Sequence, residues 1–258
     1  LLQLMRNTKY TTQLSQGAGL INEVLSLLSV YQKGMTYIQL TDYVRENGTL
    51  SCKTDSRLKH IVYDVFYVRL LKNNPDVAWW LKTIRNNGLP LKQFSQLLMI
   101  YCARENAVLF DAITKVLNQL KKNNELELIS NEILLFVKGI VDNGYASWTE
   151  NLQRKNAGYI RSTMADFELI DKKGRILPYE PSDFTILYLM HEQHFAGLSD
   201  MAIWDLEEWQ LFNLDRHQVL AHIMALSLRG AYIAQTSGDL LTISWNYQTM
   251  EDFINATL

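Results

Sequence analysis

Apolar positions recur every three to four residues through most of this 258-residue chain, and only four prolines interrupt them. That spacing lines one face of a helix with core side chains. It predicts helices over residues 20–31, 36–44, 55–71, 75–86, 89–103, 106–122, 126–141 and 214–228, with a final one over 249–258. Gly17, Ala18 and Gly19 precede the first, Thr36 is placed to cap the second, and Asn47-Gly48 ends it. Two short stretches break the helical period. Residues 167–177 alternate around Lys172-Lys173-Gly174 before Pro178 stops the pattern, and residues 231–245 do the same around Thr236-Ser237-Gly238-Asp239; both read as β-hairpins.

The expected fold is therefore mainly α, a helical bundle in the middle flanked by helix-turn-helix and winged-helix-like modules with two small β-hairpins. A short helix, a polar connector at residues 49–54 and a longer helix give a helix-turn-helix outline within residues 1–73. Residues 74–146 carry unbroken helical periodicity and form the bundle. A helix with apolar Leu152, Tyr159, Ile160, Met164 and Phe167, running into the first hairpin, makes residues 147–181 a winged-helix element. Residues 182–258 repeat the plan, helix then hairpin, in an acidic setting.

Charge separates these regions. Residues 1–178 hold 23 Lys and Arg against 16 Asp and Glu, whereas residues 179–258 hold 2 against 11. Such asymmetry points to a polyanion-facing part, although acidic and basic faces that complement one another inside one fold would show the same balance. The basic residues cluster where a groove-binding module needs them: Lys53, Arg57 and Lys59 at the start of one helix, Arg154, Lys155 and Arg161 along another, and Lys172, Lys173 and Arg175 on the hairpin tip. Six such phosphate contacts from the second module would give a log–log salt slope of about −5. The second hairpin has no Lys or Arg, so its surroundings suit protein contact, with Trp204 and Trp209 in the acidic, aromatic string IWDLEEWQLF as candidate partner-binding residues.

Other chemistry has little footing. No apolar run approaches the roughly 18 residues of a membrane span, and the opening LLQLMRNTKYTT lacks the layout of a secretory signal. Cys52 and Cys102 have no metal or redox spacing. A reduced, cytoplasmic setting is expected, and the missing initiator Met is consistent with a trimmed start. His191-Glu192-Gln193-His194 spaces its histidines at i and i+3, whereas the helical zinc-protease motif uses i and i+4, and no third ligand is assigned. Structural histidines are the expectation, with no metal, cofactor or catalytic residue.

The helix DSRLKHIVYDVFYVRLL, the middle segment LLMIYCARENAVLFDAITKVL and the unit YIRSTMADFELIDKKGRILP together resemble the BrxA proteins of bacteriophage exclusion (BREX) defence systems. The resemblance covers residues 10–181, and RGAYIAQTSGDLLTISWNY is similar to the carboxyl ends of longer relatives. It implies a small, non-enzymatic phage-defence component that binds double-stranded DNA through the basic elements above, with other BREX proteins as further partners. Members of the family have also been likened to the RNA-binding factor NusB, which keeps RNA as an alternative ligand. A scaffold that holds the defence complex together without touching DNA is the other alternative.

Overall fold

The computed structural model describes residues 6–16 and 19–258; Gly17 and Ala18, expected to open the first helix, lie outside the described residues. The fold is mainly helical, as the apolar spacing predicts. The chain divides into two compact units, the larger formed by residues 6–82 and 98–179 and the smaller by residues 83–97 and 180–258.

In the larger unit α1 (Ile21–Val30) and α2 (Tyr37–Asn47) are followed by α3, which runs as Asp55–His60, then as a wider π-helical stretch Ile61–Tyr67, and ends as Val68–Leu70. Thr36 caps α2 in a reciprocal capping box with Gln39, and Gly48 ends it in the left-handed conformation at φ 60°. Thr54 caps α3 by accepting from the Arg57 N–H at 3.2 Å. Leu40, Val44, Val62, Val65 and Phe66 face the core, and the Tyr31 and Phe66 rings meet at 5.7 Å. The helices α4 (Val77–Asn86) and α5 (Leu91–Glu105) come next, each with residues in both units. Then α6 runs as Ala107–Asp111, a second π-helical stretch Ala112–Leu117, and Asn118–Lys122. Two further helices, α7 (Ser130–Asp142) and α8 (Glu150–Asp166), pack on each other, and Ile133, Val137 and Ile140 of the first and Ala157, Ile160 and Met164 of the second are buried.

Two local expectations change here. Residues 126–128, read as the first turn of a helix, are extended, and α7 begins at Ser130, its start closed by the Glu132 side chain accepting from the Ile129 N–H at 2.8 Å. The first hairpin is not a pair of regular strands. It is a tight loop whose segments meet at isolated antiparallel bridges, Ile170 with Ile176 and Arg175 with Glu127. The returning segment is three residues long before Pro178, too short for a ladder, and it is held from both sides: Ile176 N–H donates to Leu126 O and Leu128 N–H to Gly174 O, each at 2.8 Å, while Leu177 N–H reaches Leu169 O at 3.1 Å.

The smaller unit is built around α9 (Asp183–Phe195), buried without interruption from Phe184 to Gln193. Ser182 caps it, and the buried Gln96 side chain accepts from the Ser182 N–H at 2.9 Å and the Thr185 hydroxyl at 2.7 Å. Short α10 (Asp200–Trp204), a 3-10 turn over Glu207–Phe212, and α11 (Arg216–Leu228) lead to the one two-stranded sheet among the described residues, β1 (Ile233–Ser237) antiparallel to β2 (Leu240–Ser244). Asp200 binds this hairpin to α10, accepting from the Ile243 N–H at 2.8 Å and the Trp245 indole at 3.2 Å. Thr249 caps α12 (Met250–Thr257).

Candidate nucleic-acid interface

The basic residues of the larger unit fall into two structural settings. In the first, the capped start of α3 follows α2 across a polar turn. Lys53 lies exposed in that turn, Arg57 is half-buried one turn into α3, and Lys59 is exposed. Lys59 is already paired with Asp55 at 2.8 Å, and Arg45 of α2 bridges Asp55 at 2.8 Å and Asp42 at 2.6 Å. The two cations hold the Asp55 carboxyl below its ordinary range, Lys59 contributing most. Much of the positive charge here is balanced within the protein.

The second setting is α8 and the loop after it. Ile160, Thr163 and Met164 anchor α8 to the core, which turns Asn151, Arg154, Lys155, Gly158, Tyr159 and Ser162 outward in one stripe. Tyr159, expected on the buried face, belongs to this stripe and is 36% exposed. The neighbours Asn151 and Ser162 escaped the reading of the sequence because a search for cations passes over polar residues, yet their spacing opposite Ile160 marks them. Arg154 forms an i,i+4 ion pair with Glu150, and both side chains stay exposed.

Arg161 has a different position from the one expected. Its Nη2 donates to Lys173 O at 2.8 Å, so it clamps the loop to α8 instead of pointing to solvent. Asp171 completes the turn by accepting from the Lys173 N–H at 2.8 Å and the Arg175 N–H at 2.9 Å. Those backbone donors, Arg175's foremost, lower the Asp171 pKa. Gly174 sits at φ 101°, and a Cβ there would lie 2.5 Å from Arg161 Nη2 and 2.7 Å from Leu128 O, so only glycine fits. Lys172, Lys173 and Arg175 are left exposed on the rim of this braced loop. The structure thus brings Arg161, Lys172, Lys173 and Arg175 together, with Arg154 and Lys155 one to two turns back along the same helix. It leaves Lys53, Arg57 and Lys59 on a separate pair of helices.

Trp204 and Trp209 are not surface residues. Trp204 is buried, its indole donating to Arg216 O at 2.8 Å with the Arg216 guanidinium 3.9 Å above the ring, and Trp209 is buried with its indole donating to Ile203 O at 2.9 Å. A tryptophan whose N–H finds a local carbonyl packs as core, and the acidic residues around it in sequence carry no information about that. What the smaller unit does expose is Leu228, Ile233 and Leu240, at 89, 59 and 63%.

His191 is a core residue as well. It is fully buried, its Nδ1 2.7 Å from Leu187 O, its ring stacked on Phe253 at 4.1 Å and edge-on to Trp245 at 4.9 Å. Burial pushes its pKa down to about 4. His194 stacks on Trp245 at 4.2 Å. No group of three or more His, Cys, Asp or Glu that could hold a metal occurs among the described residues. Burial raises the pKa of both thiols, Cys52 and Cys102. No helix among the described residues is long and apolar enough to cross a membrane.

These features describe a mainly helical protein with a basic helix-and-loop unit and an acidic companion. The BrxA family model matches residues 8–193. The chain belongs to the BrxA family, and so to the components of BREX phage-defence systems. Among solved structures, that of an uncharacterized protein from Magnetospirillum magneticum is similar over 72% of this chain and 95% of that one, with a TM-score of 0.58 and 15% identity, a likeness of fold alone. No curated protein matches.

Proposed function

We propose that this chain is a non-enzymatic, double-stranded-DNA-binding accessory component of its BREX system, and that the unit from α6 to residue 177 is its main DNA-contacting element. The order helix, extended segment, helix, helix, extended segment, turn, extended segment is that of a winged helix, with α8 as the helix that enters the groove and the loop at residues 171–175 as the wing. The single observation that carries the reading is the wing itself: three exposed cations on a loop fixed to α8 by Arg161, Asp171 and Gly174. Preorganised charge of this kind contributes to phosphate affinity without an ordering cost. The larger unit as a whole holds 21 Lys and Arg against 16 Asp and Glu, the smaller 4 against 11.

With Arg161 committed to the clamp, five cations remain for phosphates on this unit, so the expected salt slope is about −4.5. Fluorescence polarisation of a labelled duplex at two salt concentrations tests this, with an RNA duplex as a second arm. Loss of binding when Lys172, Lys173 and Arg175 are reversed to Glu is the expected result. Binding that ignores both salt and those charges would overturn it, and preference for the RNA duplex would replace DNA with RNA as ligand.

A scaffold role has its own support in the exposed Leu228, Ile233 and Leu240 of an acidic, cation-poor unit. Copurification with the other BREX proteins, abolished by replacing these three with Ser, would favour that reading.

A further inference from the structure

Between α2 and α3 of the larger unit lies a groove of about 390 Å³, within the size range of specific ligand sites. Tyr37, Ile38, Asp42 and Arg45 of α2 line it from one side, and Lys59, His60, Tyr63 and Asp64 of α3 from the other. The π-helical stretch Ile61–Tyr67 carries Tyr63 and Asp64, and wide turns of this type are frequent at functional sites. Tyr63 stacks on Tyr67 at 5.3 Å and meets the edge of Tyr37 at 5.0 Å, which fixes its ring, yet 43% of the residue stays exposed. The ring is held by the protein and open to a ligand.

The charges around the groove specify what would sit there. Arg45 is satisfied by Asp42 and Asp55, and Lys59 by Asp55. Among the described residues Asp64 faces His60, whose Nδ1 is 3.1 Å from Asp64 Oδ2 without hydrogen-bond alignment. Of the two carboxylates that line the groove, Asp42 is paired with Arg45, whereas Asp64 has only His60 beside it and lies next to an exposed aromatic wall.

We propose that this groove binds an arginine side chain presented by a protein partner. A guanidinium pairs with the Asp64 carboxylate through two N–H donors and stacks on a tyrosine face. A nucleic-acid strand would bring phosphates towards Asp42 and Asp64 and lacks that match. The proposal does not rest on the DNA reading, although Lys59 stands near both surfaces.

The full chain is titrated with an acetylated Gly-Arg-Gly amide, the same peptide with citrulline, and guanosine monophosphate, while the Tyr63 ring resonances are followed by NMR. The arginine peptide is expected to shift Tyr63 with millimolar affinity, and the citrulline peptide to bind about fivefold or more weakly. Asp64→Asn should lose the same factor with an unchanged unfolding midpoint. If that variant fails to fold, Tyr63→Leu serves in its place, read against the Tyr37 ring. Equal binding of citrulline, full binding by the folded Asp64→Asn or Tyr63→Leu protein, or a Tyr63 response to the nucleotide alone would each overturn the proposal.

Discussion

The loop after α8 and the hairpin after α11 occupy equivalent places in their units, yet they are held by opposite means. The hairpin is regular β-structure: five residue pairs in register, with Ala234, Leu241 and Ile243 turned inward and Asp200 gripping β2. The loop has almost no ladder and is instead set by single side chains, Arg161 and Asp171, around one glycine. A ladder makes a generic, robust projection. A side-chain brace makes a projection that depends on three particular residues, and here it carries three exposed cations where the hairpin tip carries Asp239.

The largest expected contrast is in ligand affinity. Reversing Lys172, Lys173 and Arg175 to Glu should weaken duplex DNA binding about a hundredfold or more, close to 3 kcal/mol, whereas Asp239→Lys should leave it within about twofold, both by polarisation titration. Equal effects at the two sites would erase the distinction. Next comes backbone strain. Gly174→Ala must accept a left-handed backbone and displace Arg161, and should cost about 2–3 kcal/mol in urea unfolding, whereas Gly238→Ala, at φ 60° with open space around it, should cost about 1 kcal/mol.

A third contrast is in pH. His191 stays neutral in the folded smaller unit down to about pH 4, while the unfolded chain protonates it near pH 6.5. The unfolded state therefore binds more protons between these values, and stability is lost as pH falls through that window, by about 2 kcal/mol at pH 5. His191→Phe, which keeps the stack on Phe253, should flatten this part of the unfolding-versus-pH curve relative to the unsubstituted protein. The smallest effects belong to the exposed stripe of α8: Gly158→Ala should stabilise by about 0.5–1 kcal/mol, and Arg154→Ala, which removes only an exposed ion pair, should change stability by about 0.5 kcal/mol or less.

Most helices were legible before any coordinates, because apolar spacing states them locally, as Thr36 does for the start of α2. The positions of the cations on helix starts and on the loop were legible for the same reason. What escaped depends on partners distant in sequence. Leu126 and Leu128 read as helix because their extended form exists only through bonds to residues 174–176. The π-helical stretches shift backbone bonding without altering the apolar count. Arg161 looked like its neighbouring cations until Lys173 O claimed it, and Trp204 and Trp209 looked available until backbone carbonyls satisfied their indoles.

The Arg161 clamp also alters how a mutational scan of this protein should be interpreted. A lost arginine on a DNA-facing helix is ordinarily scored as a lost phosphate contact, with fewer counterions released. Removing this one would instead free the loop, so affinity should fall through the entropy of re-ordering it while the number of ions displaced stays the same. An unchanged salt slope with a weakened intercept is the signature that separates a residue that shapes the binding surface from one that touches the ligand.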